Sequence, residues 1–188
     1  MPQTGTETIF AAGALVSYAV AETAQPATAI IAPAVAWNDL GYISEAGLDF
    51  SYGDEQVAVR AWQAASAVRR GKTGDELTVG MNLLQWNELT LPVAFGGGVV
   101  VPEAGPQYRY RFPAATDGLV ERAFLFRWID GARNFQMWIP RAVRTNPTNT
   151  TLARTSVSEL PLGISALQPN TVGARVGEIL TDDAQWIV

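Results

Sequence analysis

The sequence predicts a mainly β domain, β-rich with a single short helix, from three observations. Apolar and polar residues alternate with a period of two in several segments, turn-forming Gly, Asp and Pro residues separate those segments, and one stretch carries helix punctuation. The clearest alternation is residues 77–83, with Leu77, Val79, Met81 and Leu83 on one face and Thr78, Gly80 and Asn82 on the other. This marks a half-buried strand, because successive side chains leave an extended backbone on opposite sides.

The remaining elements follow in chain order. Residues 1–36 are rich in Ala, Thr and Pro, and Glu7 and Glu22 are their only charges. Residues 9–20 predict a strand weakened at Gly13 and residues 27–32 a shorter one, made edge-like by Pro26 and Pro33. This segment is expected to be an N-terminal arm or edge strands, with an extended arm and a packed hairpin both open, and residues 37–188 form the main domain. Strands are expected at 48–52, then after a Gly53-Asp54 turn at 57–63, and again at 77–83. The helix is placed at 86–95, with Asn87 as N-cap, Pro92 inside it and Gly96-Gly97-Gly98 ending it. Residues 99–118 hold Pro102, Pro106 and Pro113 and read as a loop with a short strand at 108–112. A hairpin follows, 121–129 and 134–140 about an Asp130-Gly131 turn. After a polar loop at 146–151, strands are expected at 157–167 and 176–180, then a hydrophobic end at 184–188. The total is seven to ten strands in one domain.

Composition removes whole classes of chemistry. With no histidine and no cysteine, the chain has no disulfide, no thiolate nucleophile, no Cys/His zinc site and no Ser-His-Asp arrangement. Lys72 is the only lysine and is expected in a solvated Gly-rich turn. Neither an enzyme nor a cofactor or metal site is predicted. The net charge of −5, without a basic stripe, repels a phosphate backbone and argues against gripping nucleic acid. Charged residues are 16% of the chain, below the roughly 25% of an ordinary soluble domain, which favours a surface partly buried by neighbouring subunits. The apolar stretch 9–20 is shorter than the ~20 residues of a membrane span, and the residues before it lack the positive charge of a secretory signal; no membrane association is expected.

Four constellations bear on function. Gly96-Gly97-Gly98 follows a helix instead of opening one, which suits a C-cap and not a phosphate loop. Asp182-Asp183 and Asp75-Glu76 lack the spaced oxygens a hard cation requires and read as solvated acidic turns. Arg69, Arg70 and Lys72, followed closely by Asp75 and Glu76, read either as an exposed hairpin tip or as opposite charges setting register against a neighbouring subunit. The six tryptophans are expected in the core or an interface, in preference to a sugar- or base-stacking platform.

Four ordered stretches carry a family resemblance: WNDLGYISEAGLDFSYGDEQVAVRAWQ (37–63), AVRRGKTGDELTVGMNLLQWNELTL (67–91), LFRWIDGARNFQMWIPRAVRT (125–145) and LPLGISAL (160–167). Together they make the chain similar to the major tail, or tail tube, proteins of siphophages, particularly those of actinobacterial hosts. The resemblance implies a β-sandwich or barrel-like domain flanked by a helix, six copies forming a ring, and rings stacking into a tube. It also implies an inner β-barrel shared between subunits, a ring-bridging loop at 64–76 or in the N-terminal segment, and an acidic lumen through which DNA passes without specific binding. Arg69, Arg70, Lys72, Asp75 and Glu76 would then be inter-subunit contacts. The implied partners are further copies, the tape measure protein, the tail terminator and distal tail or baseplate proteins; the implied location is the virion, after synthesis in the host cytoplasm. Two departures stand out: Gln85-Trp86-Asn87-Glu88 replaces the family's acidic residue directly after the two leucines, and 99–118 has no recognised counterpart. The inner tube of a contractile tail and a carbohydrate-binding virion module are the alternatives.

Overall fold

A computed structural model of the chain describes residues 8, 9, 11, 13–30, 35–145, 148–171 and 173–186. The elements are β1 (Gly13–Val20), β2 (Asn38–Asp39), β3 (Ile43–Arg60), β4 (Ala67–Leu83), α1 (Thr90–Ala94), β5 (Val99–Pro102), β6 (Tyr108–Arg111), β7 (Arg122–Asp130), β8 (Arg133–Arg144), β9 (Leu160–Ala166) and β10 (Glu178–Thr181). Eight strands form one antiparallel sheet in the order β2-β1-β7-β8-β9-β4-β3, with β10 added on β8, and β5 and β6 pair as a separate small sheet. The fold is thus mainly β with one short helix, as the alternation predicts.

The sheet curls, because each strand's apolar face is satisfied by the others. Val16 of β1, Phe124 and Phe126 of β7, Met137 and Ile139 of β8, Leu160, Leu162 and Ile164 of β9, and Leu77, Val79, Met81 and Leu83 of β4 meet in one buried cluster. Strands distant in the sheet order share that core, and β1 returns to touch β3. Val93 and Ala94 of α1 plug it against β9. The opposite face of β1 and β7 carries a smaller cluster of Ala19, Trp37, Ala123 and Leu125, against which Trp138 packs.

Residues 22–30 strap this outer face. Trp138 Nε1 donates to the Thr23 carbonyl (3.1 Å), Gln136 Nε2 to that of Pro26 (3.3 Å), and Arg127 Nη2 to those of Ala29 (3.0 Å) and Ile30 (3.1 Å). These bonds use carbonyls that no sheet partner occupies. Residues 27–30 are accordingly not the second strand expected there, and the rest of that expected strand, 31–32, lies outside the described residues.

The helix is shorter than 86–95, for a reason visible in the sequence. Pro92 has no N–H to give, so regular helix is confined to five residues. Asn87 still caps it: its Oδ1 accepts from the N–H of Leu89 and of Thr90 (2.9 Å each), while Thr90 Oγ1 accepts from the Asn87 N–H (3.0 Å). At the other end Gly97 N donates to Pro92 O (2.7 Å) and Gly96 N to Val93 O (3.4 Å), the paired closure of a Schellman motif. It requires positive φ at Gly96 (78°), and the glycine run is therefore a helix stop.

Three further expectations are corrected. β8 does not end at Pro140: a bulge there accommodates a residue without an N–H, and the strand runs on to Arg144. The β7–β8 turn is Gly131-Ala132, one residue later than expected, with Asp130 already paired to Arg133 and φ of 60° at Gly131. Residues 99–102, read as loop, pair with 108–111.

Asp182 and Asp183 are not a free acidic turn but a clamp over the β7–β8 turn. Asp182 accepts from the Asn134 N–H (2.7 Å) and from Asn134 Nδ2 (2.8 Å); Asp183 meets Arg133 at 3.3 Å, and Arg133 also pairs with Asp130. The bonds from Asn134 hold the Asp182 carboxyl below the usual range, and the two-pronged Arg141 contact (2.6 and 2.7 Å) does the same for Glu121. A carboxyl depressed in the folded state stabilises above its unfolded pKa, near 4, and that contribution disappears as pH falls through the folded value. The melting temperature is therefore expected to drop between about pH 5 and about pH 2, and to drop less in the Glu121→Gln, Asp182→Asn double variant. Thermal unfolding followed by circular dichroism checks this.

Candidate functional site

The most exposed part of the molecule is the outer half of the β3–β4 hairpin. Its strands, 18 and 17 residues long, are far longer than the body of the sheet needs. β9 pairs with β4 only at Thr78–Leu83, so Ala67–Leu77 of β4 has a free edge, and β3 lies at the end of the sheet order. Residues 49–60 and most of 67–76 are solvent-exposed on both faces. The result is an arm with two open edges.

The Gly53-Asp54 turn expected here does not exist: Gly53 pairs with Glu76 and Asp54 with Asp75 inside a continuous ladder. The true tip is residues 61–66, closed by a bond from Ala64 N to Ala61 O (3.1 Å). Arg69, Arg70, Lys72, Asp75 and Glu76 lie along the shaft of β4, and neither the tip reading nor the loop at 64–76 describes them.

The register divides those five residues between two faces. Tyr52 opposes Leu77 and Phe50 opposes Val79, so the face bearing Phe50 and Tyr52 continues the core side of the body. Asp54, Asp75, Lys72 and Arg70 extend this side; Arg69, opposite Val59, and Glu76, opposite Gly53, look the other way. Opposed carboxylates at Asp54 and Asp75 repel. The chain answers with Lys72, whose Nζ lies 3.4 Å from Asp75 and donates to the Tyr52 hydroxyl at 3.1 Å, and with Gln56, which donates to Asp54 at 2.6 Å. The Tyr52 bond, then Asp75, raises the Lys72 pKa. The side chains of Arg60, Arg69 and Arg70 have no hydrogen bond or ion pair among the described residues.

A second feature missed by the sequence reading is a groove of about 1000 Å³ at the base of the arm, lined by Leu15, Tyr42, Ile43, Leu48, Phe50 and Trp128 with Asp39 and Glu45 among the lining. Its residues come from separated segments, so no local pattern announces it. The tryptophans divide: Trp37 is buried and Trp128 and Trp138 pack against the two clusters, whereas Trp62, Trp86 and Trp186 are exposed. Among the described residues no cluster of three or more acidic side chains is disposed to hold a metal ion.

A β domain that ends in a long, two-edged, exposed arm has the construction of an assembly subunit. The chain belongs to the family described as phage tail tube protein, whose model matches residues 1–187. It is a structural protein of the phage tail, hence of the virion, and not a catalytic domain. No curated protein matches it. Among solved structures it is similar to a chain described as "Tail of empty GTA particle computed with helical refinement, C6 symmetry", at 11% identity and a TM-score of 0.42, covering 89% of this chain and 96% of that one.

Proposed function

We propose that the subunits assemble through their arms. The open edge of β3 in one copy pairs with the open edge of β4 in the next, and the ring of arms closes into an inner β-barrel, which leaves no edge exposed. The observation that carries this is the arm itself, exposed on both faces and unpaired on both edges. Six copies per ring, and stacking of rings into a tube, are what the sequence resemblance implies, as are contacts at the tube's ends with tape measure, terminator and distal tail proteins.

The register orients such a barrel. Because the body lies on the Phe50 and Tyr52 side, the opposite face looks inward, and it carries Asp49, Ser51, Gly53, Glu55, Val57 and Val59 of β3 with Arg69, Gly71, Gly74, Glu76 and Thr78 of β4. Three carboxylates against one guanidinium, among glycines, Ser51, Thr78 and the two valines, make a wall that is net acidic and built of short side chains. A DNA backbone would slide past it without sticking. Arg70, Lys72 and Asp75 then sit on the outer side of the barrel, available to neighbouring subunits.

Negative-stain electron microscopy across a concentration series tests the assembly. Rings or hollow tubes of uniform width are expected. A chain that stays monomeric at every concentration, even when mixed with the tail-tip complex that initiates tails, overturns the proposal.

A further inference from the structure

Three buried polar atoms beside the strap have no hydrogen-bond partner among the described residues: Arg127 Nε, Gln136 Oε1 and Gln25 Nε2. They belong to neighbouring residues. Arg127 and Gln136 are directly opposed across β7 and β8 and so share the outer face. Gln25 precedes Pro26, the strap residue whose carbonyl Gln136 holds. Arg127 Nη2 is already shared between the carbonyls of Ala29 and Ile30, which leaves Nε to find a partner of its own. The Gln136 amide cannot turn over to help, because the Pro26 carbonyl only accepts and so keeps Nε2 towards itself. Gln136 is 0% exposed, so bulk solvent does not serve its oxygen.

Buried polar atoms are paired as a rule, and leaving them bare is costly. The three atoms define what would pair them. Two donors and one acceptor must be met at once. An anion suits Arg127 and Gln25 but is repelled by the Gln136 oxygen; a cation suits that oxygen but is repelled by the guanidinium. A water molecule accepts two hydrogen bonds and donates to the third atom, and it fits all three. Room adjoins the site in a cleft of about 400 Å³ at the end of the strap, with Ala29, Arg127 and Asn134 in its lining. We propose that one water molecule is held between the strap and the sheet by Arg127, Gln136 and Gln25, and that it latches the strap. Lifting residues 22–30 off the outer face then requires breaking the bonds of this water as well as the side-chain bonds to the strap carbonyls. The inference concerns the single subunit and does not depend on the assembly proposed above.

A structure of the full chain that resolves ordered solvent, from crystals or from tubes, tests the site directly. A water oxygen within hydrogen-bond distance of both Arg127 Nε and Gln136 Oε1 is expected. A direct bond between those two atoms, or no solvent density beside them, would overturn the proposal. Gln25→Met tests the latch by sign. The Gln25 side chain makes no hydrogen bond to the described residues, so this substitution removes none. Without a water, it would relieve a bare donor and tighten the strap; with one, it takes away a partner and loosens it. Hydrogen exchange of the strap amides, followed by mass spectrometry, is expected to be about five-fold faster in the variant, the effect of one lost hydrogen bond. Unchanged or slower exchange would also overturn the latch.

Discussion

A chain in which residues 55–74 are replaced by an Asn-Gly turn is expected to fold as a stable monomer and to form neither rings nor tubes. The cut falls between two directly paired positions, Asp54 and Asp75, so a two-residue turn closes the shortened hairpin without altering the register behind it. None of the deleted side chains belongs to the buried core, whose β4 contribution begins at Leu77. Loss of exposed strand removes little apolar burial, and the melting temperature should stay within a few degrees of the parent. Assembly loses both open edges, the Arg69 and Arg70 charges and Trp62 together. Sedimentation velocity beside thermal unfolding separates the two effects; tubes from the shortened chain would show that the arm is not the assembly element.

The opposite separation is expected from Phe126→Ala. Phe126 is fully buried, and its ring lies 6.2 Å from that of Phe124 with an interplanar angle of 11°. It sits where the apolar faces of several strands converge, and the curled sheet has no loose element able to collapse into the space. Truncations of this kind cost about 3–5 kcal/mol, against a total stability of about 5–15 kcal/mol. Chemical denaturation should show the unfolding free energy falling by that amount, read as a lower midpoint at unchanged slope, with the arm untouched; a loss under 1 kcal/mol would mean that the site repacks.

What the sequence reveals of this fold follows from burial. Residues 77–83 and 160–164 have one face in the core and one outside it, so their strands are legible from alternation alone. The outer arm buries neither face. Its strand character comes from the ladder between β3 and β4, and Gly53-Asp54 therefore imitates a turn although both residues are paired. The helix cap at Asn87 and stop at Gly96 were legible because both are local chemistry, whereas its length was set by Pro92. The charges of the candidate contact were found, but their division between two faces depends on the register and on a bulge no pattern shows. The groove, assembled from β1, the start of β3 and β7, was beyond any local reading.

The irregular ladder of the arm bears on safety before assembly. β4 carries extra residues at Thr73 and Val68, where the pairing with β3 shifts, and β3 bulges between Ile43 and Leu48. Each insertion bends and twists the strand that carries it. A stray segment that adheres to bare backbone does so by lying straight and in step, as in amyloid. Against a strand broken in its rhythm at two places such a guest runs out of phase within a few residues, whereas a sister arm arrives with the same curvature. An unpolymerised subunit can therefore display the long edge of β4 in a crowded cell without offering a straight template.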